Sequence, residues 1–437
     1  MKKIMFSFLF FLNKVKILYR ISCLHKKVKQ SYFIGFISLF LLQNCVEPYE
    51  AATQVFEDSL IIEATITNEE KIQKINLSRT YKLEETTVIL VSDATVKVVD
   101  DLQNEYFFQE STAGVYLSSI PFAAVSERTY QLKITTNTGS YESFPTTLTP
   151  ISSELEVNVA KTTSEDGIEG VTVYASSVTP SGNAKYYRFE YEETYKIIAP
   201  YWSPLDAYGY SYLSVPTDPE SPLVHEVYTL PREQEEETCY KTNYSIGVLQ
   251  EETSKFVEDR VQNFPVHFLS KTAFPITHRY SILVRQYVQS FEAYSFYNTL
   301  NKFSNQESLL SQNQPGSISG NLYSVDNNEE KVIGFFEVSS ALTKRLFFNF
   351  EDLFPNDEKP PYIVGCNVIT PDLYDTSNGG NPNFSPLLIQ ILYNDLKFVR
   401  FNEPLIENPN NPYFIVRKEC SDCTALGSNI KPAFWVD

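Results

Sequence analysis

The sequence predicts a mainly β protein, with an N-terminal immunoglobulin-like β-sandwich followed by a larger β-rich domain with one amphipathic helix. Short segments in which apolar and polar residues alternate recur at intervals of about ten residues, as strands of a sandwich do. Turn-forming residues, mostly Asn, Asp and Gly, separate these segments. One later segment instead has the periodicity of an amphipathic helix.

Residues 59–150 are predicted to form the immunoglobulin-like β-sandwich. Apolar residues alternate there with polar ones, as expected for strands that bury one face. The clearest alternating segments are residues 60–66, 75–77, 96–98 and 130–134. Pro145 and Pro150 then close the predicted domain.

Residues 151–437 are predicted to form the larger β-rich domain. Alternation resumes at residues 155–159 and returns several times towards the C-terminus. Residues 200–265 are predicted to be an insertion, because a Pro- and Tyr-rich stretch followed by the acidic run 233–237 is too long for an ordinary hairpin loop. Such an insertion is either functional or disordered.

The predicted helix begins after Ser290, a residue type that often caps helix N-termini, with Glu292 in the first turn. Apolar residues then follow at the spacing of one helical face. They are Ala293, Phe296, Tyr297 and Leu300. The helix is expected to end near residues 304–305, before the chain returns to β structure.

The charge of the chain is unevenly distributed. Residues 1–45 contain eight Lys or Arg and no acidic residue, which leaves 28 of the 36 basic residues against all 54 acidic ones, a net charge of −26. A surface this acidic repels phosphate backbones, so nucleic acid is excluded as a partner. The hydrophobic content of 43% is high enough for folded cores and argues against disorder.

Residues 1–44 are predicted to be a signal peptide. The basic stretch 26–29 precedes an apolar run at residues 32–42, which has the length of a signal-peptide core and is short for a membrane span. The run ends in Leu42-Gln43-Asn44-Cys45, which resembles the lipobox that precedes a lipidated cysteine. Cys45 is therefore the predicted lipidation site, and an uncleaved N-terminal anchor is the alternative.

Residues 45–58 are then a lipidated tether that holds the protein to the outer membrane through its acyl chains. Glu47 and Glu50 follow Cys45 closely and resemble the acidic signal that exports lipoproteins to the cell surface. We expect a surface-exposed protein, with the periplasmic leaflet as the alternative. Apart from the covalent lipid at Cys45, no cofactor is expected.

Motifs spread along the chain resemble one known family. They are SLIIEA at 59–64, YSILV at 280–284, EAY at 292–294, GNLY at 320–323, VIGFF at 332–336, CSDC at 420–423 and KPAFW at 431–435. The sequence resembles the Bacteroidota outer-membrane lipoprotein family catalogued as domain of unknown function 4249. Such lipoproteins are often encoded near TonB-dependent transporters, so the resemblance implies an outer-membrane transporter as a partner.

Four cysteines follow Cys45: Cys239, Cys366, Cys420 and Cys423. An even number in an oxidising compartment predicts two disulfides, for which three connectivities exist. We favour bonds from the C-terminal pair to the two distant cysteines, because these would tie the C-terminal tail to the body. A zinc site and a redox-active pair are the alternatives.

The sequence gives no sign of an active site or a metal centre. The three histidines after Cys45, His225, His267 and His278, are not spaced as a metal-binding pair. The segment 316–320, GSISG, lacks the central serine of a nucleophile elbow. We therefore predict a protein that is not an enzyme.

Five aromatic residues in the insertion form a candidate binding surface: Tyr201, Trp202, Tyr208, Tyr210 and Tyr212. Tyr and Trp offer a large contact area at a small entropic cost. The alternative is that they pack on their own domain as a lid. The predicted function is an accessory or binding subunit of a TonB-dependent transporter or other outer-membrane complex, and the alternative is independent capture of glycans or peptides.

Overall fold

The computed structural model describes residues 58–81, 87–179, 183–256, 258–304, 320–377, 380–381 and 383–437. The predicted signal peptide, the lipidation site Cys45 and most of the tether lie outside these residues. So do residues 316–319 of the GSISG segment.

Strands dominate the described residues, which confirms the predicted mainly β class. The first twelve are β1 (Leu60–Thr67), β2 (Lys74–Arg79), β3 (Ile89–Leu90), β4 (Thr95–Asp100), β5 (Glu105–Thr112), β6 (Val115–Ser118), β7 (Thr129–Thr135), β8 (Ser140–Ser143), β9 (Thr146–Thr147), β10 (Glu154–Thr163), β11 (Glu169–Val178) and β12 (Tyr186–Ile198). The others are β13 (Leu205–Leu213), β14 (Leu223–Pro231), β15 (Thr238–Tyr244), β16 (Leu249–Glu252), β17 (Arg260–Ser270), β18 (Arg279–Gln289), β19 (Leu322–Ser324), β20 (Val332–Ser339), β21 (Ala341–Asn349), β22 (Lys397–Phe401) and β23 (Tyr413–Val416).

Helices are few among these residues. They are α1 (Phe291–Ser304), α2 (Phe350–Leu353), α3 (Pro386–Leu392) and α4 (Lys418–Ser421), with 3-10 turns at Phe274–Ile276 and Cys423–Ala425. Helix α1 confirms the predicted amphipathic helix, since the Ser290 hydroxyl accepts a hydrogen bond from the Ala293 amide at 3.1 Å. Its apolar side packs Ala293 and Phe296 against Phe335. No helix of the described part of the chain is long and apolar enough to cross a membrane.

The first sheet contains eleven strands in the order β19-β8-β7-β4-β5-β6-β2-β1-β20, with β3 paired to β2 and β9 paired to β7. The predicted alternation of β1 is present, because Leu60, Ile62, Ala64 and Ile66 are all buried in one core. Strand β20 lies parallel to β1 along its whole length. The sheet therefore extends beyond residue 150, and two strands from residues 322–339 complete it.

A second core lies between two further sheets. One has the order β10-β11-β17, and the other, called the five-stranded sheet below, has the order β15-β12-β18-β21 with β16 paired to β12. Alternate residues of these strands, such as Val173, Phe189 and Ile282, point into the shared core. The opposite face of the five-stranded sheet carries charged and aromatic side chains.

A smaller unit, called the hairpin module below, is built from distant parts of the chain. Strands β13 and β14 form a two-stranded hairpin, and β22 pairs with β23. Together with α3 they enclose a third core that includes Ala207, Leu387, Phe398 and Ile415. Part of the predicted insertion is thus an ordered hairpin.

Two disulfides tie the C-terminal region to the body, as predicted. Cys239 on β15 bonds to Cys423, and Cys366 bonds to Cys420. The tail also pairs with the edge of the five-stranded sheet, where Tyr240 and Ser428 exchange backbone hydrogen bonds of 2.8 and 2.9 Å. By constraining the unfolded chain, each bridge stabilises the fold by about 2–4 kcal/mol.

Candidate functional site

The hairpin β13–β14 presents one aromatic face to solvent. The side chains of successive strand residues point to opposite faces, so Tyr208, Tyr210 and Tyr212 share one side of β13. Tyr228 lies directly opposite Tyr208 on β14, and Glu226 lies opposite Tyr210. We call these five residues the tyrosine face. All five are exposed, and the four tyrosines retain 41–47% of their accessible surface.

The rings of the tyrosine face pack against each other. The ring centroids of Tyr208 and Tyr228 are 5.9 Å apart in a stacked arrangement, and Tyr210 meets Tyr228 edge-on at 6.4 Å. Tyr210 and Tyr212 are 5.8 Å apart. Such pairs add stability beyond area burial, so the surface is partly preorganised for binding.

A single carboxylate lies between the tyrosine hydroxyls. Tyr210 donates a hydrogen bond of 2.6 Å to one Glu226 oxygen, and Tyr212 donates one of 2.8 Å to the other. These bonds hold the pKa of Glu226 below its usual range and raise the pKa of both tyrosines. The face therefore combines flat apolar rings with a fixed negative charge that retains free lone pairs.

The opposite side of the hairpin is packed on the hairpin module. Ala207 is buried in the third core, and Leu205 and Val227 pack against it. At the start of β13, the Lys397 ammonium lies 3.1 Å from the Asp206 carboxylate and links β22 to the hairpin. The tyrosine face is thus supported from behind by a packed layer and is not a loose loop.

Two of the five aromatic residues predicted from the sequence lie apart from this face. Tyr201 is exposed in a turn, where its amide donates a hydrogen bond of 3.0 Å to the Cys420 carbonyl. Trp202 is half-buried and packs against the second core. The structure therefore brings together Tyr208, Tyr210 and Tyr212.

Sequence reasoning missed Tyr228 and Glu226, which complete the face from β14. A feature of the sequence could have indicated them: the Pro-rich segment 216–222 separates two strand-like segments of equal length, as the turn of a hairpin does. Pairing these segments as a hairpin would have placed Tyr228 opposite Tyr208.

The same hairpin contains a serine–histidine contact on its other side. Ser211 Oγ lies 2.7 Å from His225 Nδ1, and the buried His225 ring packs against Tyr374. A catalytic triad needs an acid that orients the second imidazole nitrogen. His225 Nε2 is buried and has no hydrogen-bond partner among the described residues, so this contact lacks the orienting group.

Metal binding finds no support in the described residues, where no group of three or more His, Cys, Asp or Glu side chains could hold an ion. The four cysteines considered for zinc are all in disulfides. His267 lies 3.3 Å from the Glu193 carboxylate in a buried network, and burial lowers the pKa of His278 to about 4. Neither position resembles a metal site.

Comparison with protein-family models identifies a family. The model of a family described as a domain of unknown function (DUF4249) matches residues 46–345, more than half of the chain. The chain belongs to this DUF4249 family. No curated protein matches the sequence.

The DUF4249 match includes the tyrosine face but ends before most of its support. Strands β13 and β14 lie within residues 46–345, whereas α3, β22 and β23 follow that range. In this DUF4249 protein, the hairpin is therefore positioned by a C-terminal segment outside the matched region. The match also includes β1 and β20, the parallel pair that completes the first sheet.

Proposed function

We propose that this protein is a non-enzymatic lipoprotein of the outer membrane, exposed at the cell surface, that acts as an accessory or binding subunit of a TonB-dependent transporter or another outer-membrane complex. The sequence around Cys45 supports the lipid anchor. The outer-membrane location is supported by membership of the DUF4249 family and by the resemblance of this sequence to outer-membrane lipoproteins. The tyrosine face supports the binding role.

The tyrosine face is the observation that carries this proposal. Four exposed tyrosines on one hairpin are an unusual concentration of the residue types that dominate binding energy at interfaces. Their rings are held by mutual packing and by hydrogen bonds to Glu226, so little side-chain entropy remains to be lost on binding. These properties suit a protein-docking surface.

A pull-down from cells tests the docking role. The tagged full-length protein is purified in mild detergent beside a triple variant, Y208S/Y210S/Y228S, and a control variant, Y393S, whose tyrosine is 81% exposed outside the face. We expect one outer-membrane barrel to co-purify in stoichiometric amount with the wild type and the control. The triple variant should recover at least tenfold less. Recovery of the wild-type protein alone would contradict the accessory role.

Cell-surface exposure has its own test. Protease is added to intact cells, and cleavage of this protein is compared with cleavage of a known surface protein and a periplasmic one. We expect cleavage together with the surface protein. Cleavage only after the outer membrane is permeabilised would place the protein on the periplasmic leaflet.

Independent glycan capture is a second candidate, favoured by the position of Glu226. A carboxylate between tyrosine rings can accept hydrogen bonds from sugar hydroxyls while a ring stacks on the sugar face. Glycan arrays probed with the wild type and with E226Q test this role. Selective binding by the wild type that E226Q loses would favour capture, and an array without signal would remove this candidate.

A further inference from the structure

A cleft of about 1120 Å³ lies between the first sheet and the five-stranded sheet. One wall is formed by β1, β2 and β20, and the other by β12 and β18. Helix α1 contributes Phe296 and Tyr297 to its lining. The cleft is formed by different strands from those that carry the tyrosine face, and the proposed docking role does not involve it.

The wall formed by β12 and β18 carries two arginines. Arg188 is buried, and its terminal nitrogens pair with Glu190 and, at 2.9 Å, with Glu337. The rings of Tyr287 and Tyr297 lie 4.2 and 4.9 Å from its guanidinium carbon. These contacts fix the Arg188 side chain in the wall.

Arg285 is the more accessible of the two arginines. It is half-buried beside Tyr287 and close to the Glu69 carboxylate, and both groups raise the pKa of Arg285 against the effect of burial. The Nε atoms of Arg188 and Arg285 are both buried without a hydrogen-bond partner among the described residues. Those two Nε atoms have no accessible surface, so a ligand in the cleft would meet the half-buried Arg285 through the rest of its guanidinium. Glu190 and Glu192 also line this wall, but Glu190 is paired with Arg188 and Tyr287, and Glu192 is paired with Arg345. The guanidinium of Arg285 can therefore bind an acceptor such as a carboxylate.

The other wall carries acceptors on β1 and β2, beside Lys74 and beside Lys71, whose ammonium is paired with Glu69. Glu63 on β1 is exposed and lies directly opposite Asn76 on β2. The Asn76 amide nitrogen donates a hydrogen bond of 2.9 Å to Glu63, which fixes the orientation of the amide. The Asn76 Oδ1 atom is buried without a partner among the described residues. Since this atom has no accessible surface, the exposed Glu63 carboxylate is the group that can accept from a cationic donor such as an ammonium group.

Apolar side chains occupy the space between these polar groups. Ile61 and Ile333 line the cleft from the first sheet, Leu283 from the five-stranded sheet, and Phe335 beside helix α1. A ligand that fits this lining carries apolar groups as well as one anionic and one cationic end.

Size and charge narrow the ligand class further. A single amino acid is small for a cleft of about 1120 Å³. A polyanion such as an acidic polysaccharide would be repelled by a chain whose region after Cys45 has a net charge of −26. We propose that the cleft binds a short peptide with free termini, whose carboxylate meets Arg285 and whose amino group meets Glu63.

A peptide-capture experiment tests this site with defined probes. The full-length protein in mild detergent is incubated with a synthetic random tetrapeptide library with free termini, and bound peptides are quantified by mass spectrometry. The same library with acetylated and amidated termini is the matched probe. We expect the wild type to retain the free library at least tenfold better than the capped one.

Three variants test whether this preference arises in the cleft. R285Q removes the charge and the planar fork of Arg285, so it should lower capture of the free library at least tenfold and remove the preference for the free library over the capped one. R260Q changes an arginine on β17 that is exposed and does not line the cleft, so it should bind like the wild type. R285K is included as a milder change, with an expected intermediate capture. Thermal unfolding confirms that each variant is folded.

Three results would overturn the proposal: equal retention of free and capped libraries by the wild type, unchanged capture by folded R285Q, or retention of hexagalacturonic acid in place of peptides. Equal retention of the two libraries is measured on the wild type alone, so it tests the proposal even when a variant does not fold. The site is independent of the docking role. The Y208S/Y210S/Y228S variant should keep peptide capture, which separates failure of one proposal from failure of the other.

Discussion

At Gly209 the hairpin strand β13, which carries the tyrosine face, lies in close contact with helix α3. Gly209 lies between Tyr208 and Tyr210 on β13, and its missing side chain would point towards α3. A Cβ atom at this position would lie 2.6 Å from the Glu226 carbonyl oxygen and would collide with the Leu388 side chain. Glycine is therefore required for the close approach of the hairpin to the helix.

We expect Gly209→Ala to destabilise the hairpin module by about 1–3 kcal/mol, the usual cost of overpacking a filled core. Gly365→Ala is a matched control, because a Cβ there meets no atom within 4 Å. Hydrogen exchange of β13 and β14 measures the effect locally. Equal exchange in both variants would show that α3 moves away at little cost.

Glu226 gives a pH-dependent prediction at the same scale. The hydroxyls of Tyr210 and Tyr212 lower the pKa of Glu226 by donating hydrogen bonds to its carboxylate. The stability that these hydrogen bonds add to the folded state is therefore present above the pKa that Glu226 has in the unfolded chain. It is lost as the pH falls through the lower pKa of the folded state. We expect Y210F/Y212F to raise the pKa of Glu226, measured by NMR titration of its carboxyl carbon. Y228F, which removes no hydroxyl bonded to Glu226, should leave the titration unchanged.

At the scale of elements, Glu193 joins four strands inside the second core. Tyr280 on β18 donates a hydrogen bond of 2.6 Å to this carboxylate, and Asn243 on β15 donates one of 2.9 Å. His267 on β17 lies 3.3 Å from it. Burial acts to raise the pKa of Glu193, but these partners lower it overall. The carboxylate thus connects strands from both sheets that enclose the core.

Glu193→Ala should leave the buried hydroxyl of Tyr280 without its partner and cost about 1–3 kcal/mol of unfolding free energy. In the wild type, the contribution of Glu193 is present above its unfolded pKa and is lost as the pH falls through its lowered pKa. Denaturant unfolding at neutral and acidic pH measures both effects. The difference between wild type and variant should shrink in acid, and a constant difference would contradict the linkage.

At the scale of the whole molecule, the two disulfides connect regions that are far apart in sequence. Cys239 and Cys423 are separated by 184 residues, and Cys366 and Cys420 by 54. The first bridge ties the tail to β15 of the five-stranded sheet. The second encloses the segment that supplies α3, β22 and β23 to the hairpin module.

Replacing either pair of cysteines with serine should lower the unfolding free energy by about 2–4 kcal/mol, because the unfolded chain regains the entropy of an open loop. C366S/C420S should also speed hydrogen exchange in β22 and β23, whereas C239S/C423S should speed it in β15. Peptide mapping without reduction checks the pairing itself. A crosslink between Cys420 and Cys423 would contradict the structure.

The sequence by itself determined the features that depend on neighbouring residues. Alternation along β1 fixed which side chains are buried, since side chains of successive strand residues point to opposite faces. The cap at Ser290 and the apolar spacing after it fixed helix α1. The count and spacing of the cysteines indicated two disulfides that tie down the tail.

Tertiary structure decided what depends on pairing between distant segments. Local patterns do not specify which strand lies beside β1, and β20 joined it from more than 260 residues away. In the same way, Trp202 went to the second core, while Tyr228 and Glu226 completed the tyrosine face from the partner strand. The cleft arose because two sheets brought Arg285 and Glu63 to opposite walls. Long-range strand pairing and sheet packing set these positions, and their free energy comes from contacts that no short stretch of sequence contains.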